Sequence, residues 1–245
     1  MVPVSFDFDF CGETFRMTSA HALFWPREQA LLVADLHLEK ASFFARHGQM
    51  LPPYDSRETL ARLAAAIRET GARRVYTLGD NFHDGDGPSR LEPHAAGMLD
   101  ALTRAVDWVW ITGNHDQHGS HRPGGSAPRP PRLGGTLVEE LEIGAMILRH
   151  QALGGETRPE ISGHYHPRVQ LRVRDRHIRR PCAVVGRGDA GRGRMILPAF
   201  GALTGGMDAA DPAILSAMQP ARRIDALVPA RGKLVQLPLW RSAAI

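Results

Sequence analysis

The stretch "ALLVADLH", Ala30 to His37, is a continuous apolar run whose last residues turn polar. Such a run fits a strand buried on both faces, with Asp35 and His37 at its carboxyl end. The form recurs twice: "RRVYTLGD" closes on Asp80, and "DWVWITGNHD" closes on Asn114, His115 and Asp116. Between the first two, Asp55 to Gly71 spells a helix. Asp55 is placed to cap it with Glu58 three positions on, Leu60, Leu63, Ala64 and Ile67 share one face, and Gly71 suits the stop. A weaker helical segment, Leu91 to Ala105, precedes the third strand. This βαβα order predicts an α/β fold, in which ligands gather at the carboxyl ends of the strands.

Working outward, "VSFDFDF" alternates apolar and polar residues and "CGET" turns back into "FRMTS", which predicts an opening hairpin. Residues His118 to Gly135, rich in Gly, Pro and Arg, read as a mobile loop rather than a domain linker. Beyond them "TLVEELEIGAMILRH", "EISGHYH", "VQLRVRD" and "GRMILPAF" are strand-like, so the second half is expected to be mostly β. His150 ends the first of these, and His164 and His166 close the second.

Composition sets the bounds. At 245 residues, with 43% hydrophobic and 23% charged residues, the chain is expected to form one globular domain over residues 1–245. No apolar run approaches the roughly 20 residues of a membrane span, and the N-terminus lacks a basic start and an apolar signal core, so a cytoplasmic protein without a membrane partner is expected. Cys11 and Cys182 lie too far apart in sequence to suggest a disulfide framework or a thiolate zinc site. A net charge of +4 permits a polyanionic partner such as nucleic acid without requiring one.

The strand ends carry the chemistry. Asp35, His37, Asp80, Asn114, His115, His150, His164 and His166 are all carboxylates, amides or imidazoles. Mixed oxygen and nitrogen donors suit Mn²⁺, Fe²⁺ or Zn²⁺. A pair of metals about 3.5–4 Å apart needs a bridging carboxylate and separate terminal ligands. Residues two apart in a strand face the same way, so Asp35 with His37, and His164 with His166, can each aim at one site, and imidazoles staggered by two residues could serve neighbouring ions. A lone Asp-x-His at a strand end is more often a hydrogen-bonded turn, and it is the joint pattern that reverses those odds.

Other features divide between function and packing. Arg172, Arg174 and Arg176 in "RVRDRHIRRP" either share a strand face toward phosphates or make a solvated edge strand. Trp108 and Trp110 read as core, and Arg149 should point away from the site. His21, His47, His94 and His177 have nothing to position them.

The ordered set "DLH" (Asp35–His37), "GDNFH" (Gly79–His83), "GNHD" (Gly113–Asp116), His150 and "GHYH" (Gly163–His166) resembles the calcineurin-like metallophosphoesterases. That resemblance implies a four-layer α/β/β/α sandwich with two mixed β-sheets. It also implies one metal on Asp35, His37 and His166, a second on Asn114, His150 and His164, and Asp80 as the bridge. His115 would give a proton or hydrogen bond to an oxygen of the phosphate, with Asp116 fixing its orientation. Two cations would lower the pKa of a shared water and clamp the phosphate for in-line attack. The family's second acid in this motif is replaced by His83, with Asp84 beside it, so either Asp84 substitutes or His83 takes a supporting role.

A narrower resemblance, to the ligase-associated DNA damage response endonucleases of the PdeM group, rests on "LLVADLHLEKA", "YTLGDNFHD", "WITGNHD", "LRHQ", "EISGHYHP", "RRPC" and "LPAFGALTGG". It implies a Mn²⁺-dependent phosphodiesterase acting on DNA beside a DNA ligase and a helicase. Glu39 stands where that group leads one to expect glycine. The rival readings are a phosphomonoesterase or cyclic-nucleotide phosphodiesterase with the same metals, and a non-catalytic scaffold binding a protein partner.

Overall fold

Three parallel strands with apolar faces, each ending in polar residues, organise the chain. A computed structural model describes residues 5–116, 133–189, 191–230 and 233–242, so most of the expected loop from His118 to Gly135 lies outside the described residues. The first sheet follows chain order: β1 (Phe6–Phe10), β2 (Glu13–Met17), β3 (Leu23–Trp25), β4 (Ala30–Ala34), β5 (Arg74–Leu78), β6 (Asp107–Ile111) and β7 (Thr136–Val138). Neighbours are antiparallel up to β4 and parallel from β4 to β7. The expected hairpin is β1–β2. Helices α1 (Lys40–Arg46), α2 (Asp55–Thr70), α3 (Gly87–Arg90) and α4 (Pro93–Ala105) lie between β4 and β6.

The later strands are β8 (Glu140–Ile143), β9 (Met146–Arg149), β10 (Glu160–Ser162), β11 (Arg168–Val173), β12 (Arg176–Pro181), β13 (Ala183–Arg187) and β14 (Gly193–Ile196). A short α5 (Pro212–Ala217) leads to β15 (Arg223–Ala230) and β16 (Lys233–Arg241). They form a second sheet in the order β16-β15-β13-β14-β10-β9-β8, with β11 and β12 set apart as a two-stranded ribbon.

Alternation along each strand builds the layers. Trp25, Leu32, Leu78 and Ile111 from the first sheet meet Leu148, Ile161, Val185 and Met195 from the second in one core. The outer face of the first sheet packs Leu31, Val33, Val75 and Trp108 on Leu60 and Leu63 of α2 and Leu99 of α4. Trp108 and Trp110 are core residues, as expected. The outer face of the second sheet packs Val184, Ile196, Ile224 and Ala226 against Ile214 of α5. The sandwich is therefore α/β/β/α with two mixed sheets, its fourth layer reduced to one six-residue helix.

Two local expectations are corrected. Asp55 does not cap α2: its Oδ2 accepts the backbone N–H of Ala41 at 3.0 Å, and Tyr54 stands at the cap without a side-chain bond. Gly71 ends the helix with φ +67°, as predicted. Nor do Arg172, Arg174 and Arg176 share a strand face. Arg174 (φ +46°) and Asp175 (φ +60°) form a two-residue left-handed turn, the geometry that closes a tight hairpin. The chain reverses there, pairing Arg172 with His177 and Val173 with Arg176. Cross-strand partners share a face, so Arg168, Gln170, Arg172, His177 and Arg179 make the polar side of the ribbon.

Candidate metal centre and its cleft

Strand register delivers the donors. Ala34, Leu78 and Ile111 are aligned partners at the ends of β4, β5 and β6, so Asp35, Asp80 and Asn114 all leave one edge of the first sheet. The second sheet brings its own edge against it, Phe200 N–H donating to the Ala34 carbonyl at 2.8 Å, and within that sheet Gly163 N–H donates to the His150 carbonyl at 2.8 Å.

The expectation that each pair of donors two apart aims at one site holds for Asp35 with His37, whereas His164 and His166 fall in different clusters, and neither pair continues its strand. β4 stops at Ala34 and β10 at Ser162, and Asp35, His37, Asp80, His164 and His166 all have φ between +43° and +74°. Left-handed backbone at a residue with a Cβ costs roughly 1–2 kcal/mol, and strain of this kind concentrates at functional sites. Glu39 is left-handed too (φ +63°), which explains the glycine expected there. Its buried carboxylate accepts a hydrogen bond from Ser56 at 2.8 Å.

Two clusters result, Asp35–His37–His166 and Asp80–His150–His164, each with donor atoms within 4.8 Å of one another. In the first, the Nε2 atoms of His37 and His166 are 3.2 Å apart, and His166 Nε2 is 3.6 Å from Asp35 Oδ1. In the second, His150 Nε2 is 2.9 Å from both His164 Nδ1 and Asn114 Oδ1. Asp80 spans both: Oδ1 lies 3.5 Å from His150 Nε2 and Oδ2 lies 3.8 Å from His37 Nε2. Asp35, His37, Asp80 and His150 are buried.

Glycines permit this crowding. A Cβ on Gly79 would fall 2.1 Å from His150 Nδ1, and one on Gly113 would fall 2.3 Å from Asp80 Oδ1.

Burial, then the neighbouring His166, His115 and Lys40, hold His37 at about 2, far below the ordinary imidazole value. Burial, then His150, lowers His164. The shifts of His37 and His164 favour the neutral imidazole, the form that offers a lone pair to a cation. Donor separations of 2.9–3.8 Å also match ligands each about 2.0–2.2 Å from a common centre. The residues present fit two divalent ions.

Around the clusters, two expectations change. Asp116 does not orient His115. Its carboxylate accepts the backbone N–H groups of Asn81 (3.0 Å), Phe82 (3.1 Å) and Gly113 (2.8 Å) and the Asn81 side-chain amide (2.9 Å). It thereby ties the Asp80 loop to the Asn114 loop, because a half-buried acid beside a tight turn takes the nearest free N–H groups. His115 Nδ1 instead lies 2.9 Å from the His83 carbonyl oxygen, and its Nε2 3.9 Å from Asp80 Oδ2. Asp84 does not substitute either; it pairs bidentately with Arg90. The His83 ring lies parallel to that of His115, centroids 5.4 Å apart.

Arg149 points away, as expected, pairing with Glu140, Glu156 and Glu160. Missed from sequence were Phe43, Arg46, His47 and Asp86, which line a cavity of about 640 Å³ with His83, Asp84, Asn114 and His115. The signal was available: Phe43 and His47 are four apart at the end of α1, so they share a helix face.

The sequence model of the calcineurin-like phosphoesterase family matches residues 29–168, which carry every cluster residue. The chain belongs to that family. It is therefore a metal-dependent phosphoesterase of a family that uses a dinuclear centre, and the paired clusters are where such a centre would sit. The crystal structure of Pseudomonas putida nuclease MPE resembles it with a TM-score of 0.67 and 27% identity, covering 95% of this chain and 100% of that one. Comparison with curated proteins finds no match. Among the described residues no helix is long and apolar enough to cross a membrane.

Proposed function

We propose that this chain hydrolyses phosphodiester bonds in nucleic acid, with DNA as the substrate and Mn²⁺ as the cation. Asp35, His37 and His166 would hold one ion, Asn114, His150 and His164 the other, and Asp80 would join them. The observation that carries the dinuclear reading is Asp80, whose two oxygens face different clusters. When bound, such ions neutralise phosphate charge and make a water acidic enough to ionise near neutral pH.

The remaining work belongs to side chains. His115, 41% exposed where the buried donors are not, reaches the cleft and gives its Nε2 proton to the departing oxygen. The His83 carbonyl holds its other nitrogen, and Asp116 keeps the two loops in register. His83 thus supports the imidazole through its backbone.

Nucleic acid is supported by the likeness to a nuclease and by the polar ribbon face rooted two residues after His166. Arg172 belongs to that face, whereas Arg174 and Arg176 belong to the turn and its far side. The core shared by both sheets, on either side of residue 168, supports one domain over the whole chain. Two free cysteines, whose thiols burial pushes up to about 11 (Cys11) and about 12 (Cys182), are compatible with a reducing cytoplasm. Action beside a DNA ligase and a helicase rests on the sequence resemblance alone.

The test is turnover of single-stranded and duplex DNA, a bis-aryl phosphate and an aryl phosphomonoester, with and without Mn²⁺. Metal-dependent cleavage of the diesters and DNA is expected. Turnover of the monoester alone would select the phosphomonoesterase, and no turnover would select the scaffold.

A further inference from the structure

The cavity beside His115 has a wall that phosphate chemistry does not require. Phe43 of α1 and His47, the residue that caps its C-terminus, pack their rings at 4.5 Å, and Phe43 meets the His83 ring edge-on at 4.7 Å. His83 in turn stacks on His115. A continuous row of four flat rings therefore runs across the cavity to His115, whose Nε2 lies 3.9 Å from Asp80 Oδ2. Three of the four line the cavity beside His115 itself rather than being sealed into the core: Phe43 is half-buried and His47 exposed. Arg46 lines the same cavity and is exposed; Asp86 and the Arg90-paired Asp84 line it as well.

A phosphate between cations needs charge and hydrogen-bond donors. A wall of rings adds what a planar group needs, because stacking on aromatic side chains holds any base by its π-face. The volume also exceeds a bare phosphate's needs and lies in the range of small-ligand sites. We infer that this cavity is a nucleobase subsite. The base of the nucleotide on the leaving-oxygen side packs against Phe43 and His47, and Arg46 stands at the rim for the phosphate that follows. The side is assigned because the row ends at His115, the group set against the departing oxygen. This inference rests on the nucleic-acid reading above and adds the position of one base to it.

The test scans a single abasic (tetrahydrofuran) nucleotide across the cleavage position of a DNA oligonucleotide, with Mn²⁺ present. The wild-type protein should lose on the order of 5- to 150-fold in kcat/KM at one position on the leaving side, the worth of one base–aromatic stack. In Phe43→Ala, and in Phe43→Leu, which keeps apolar bulk but no ring, the ratio of intact to abasic substrate should fall below about 3-fold. The ratio is internal to each protein, so partial unfolding of a variant does not change it. A flat wild-type scan, or variants that keep the wild-type ratio, would overturn the subsite. Wild-type protein that turns over a bis-aryl phosphate but cuts no DNA would instead overturn the nucleic-acid reading beneath it.

Discussion

Replacing Asp116 by alanine separates two accounts of the GNHD motif. In the structure this carboxylate accepts three backbone N–H groups and one side-chain amide from the loops that present Asp80 and Asn114, and it makes no bond to His115. Hydrogen bonds to a charged acceptor contribute about 1.5–3 kcal/mol each. Bonds sharing one carboxylate are not additive, so losing all four should destabilise by roughly 3–5 kcal/mol. With an unfolding entropy of about 2.1 cal/mol/K per residue over 245 residues, Tm should fall by about 6–10 °C. Because both loops carry donors, Mn²⁺ affinity should fall with it. Asp116→Asn, which keeps one acceptor oxygen, should fall between. Calorimetry of the metal-free protein and a Mn²⁺ titration measure both quantities. A variant of normal Tm and normal metal binding, slowed by a hundredfold or more, would show that Asp116 acts on His115 after all.

Three further outcomes follow. His115→Ala should keep its metals and lose on the order of 10²–10⁴-fold in kcat; metal loss, read by elemental analysis, would make His115 a ligand. Arg172→Ala with Arg179→Ala should flatten the salt dependence of single-stranded DNA binding by about 1.4 in slope, 0.7 for each charge, and an unchanged slope would make the ribbon a solvated arm. His21 has its pKa lowered to about 4, first by burial and then by Arg62, Arg168 and Arg180. The unfolded chain therefore binds the extra proton between pH 6.5 and about 4. Stability from this residue is full above pH 6.5 and lost as pH falls through that window, by about 3 kcal/mol. His21→Asn, which tolerates the left-handed backbone at φ +67°, should flatten that acid limb in denaturant titrations, and an unchanged limb would refute the assignment.

The donor set was legible because each motif closes an apolar strand, and parallel register then carries Asp35, Asp80 and Asn114 to one edge. How the side chains converge was not. Period-two reasoning assumes extended backbone, whereas five donors sit in left-handed turns that only tertiary contacts stabilise. The one sequence hint was Glu39, a residue with a Cβ where glycine was expected. Asp55 was misread because its carboxylate is claimed by Ala41 of another helix, a contact no local pattern encodes. The ribbon turn escaped because Arg174 and Asp175 adopt the conformation usually signalled by Asn-Gly. Asp116 was assigned by motif analogy, and its actual partners depend on how closely two loops approach.

The central claim is that two cations sit side by side, joined by Asp80. Anomalous scattering at the manganese edge from Mn²⁺-soaked crystals tests it directly. Two peaks per chain are predicted, one flanked by Asp35, His37 and His166 and the other by Asn114, His150 and His164, with an oxygen of Asp80 against each. A single peak, or peaks away from these side chains, would contradict it.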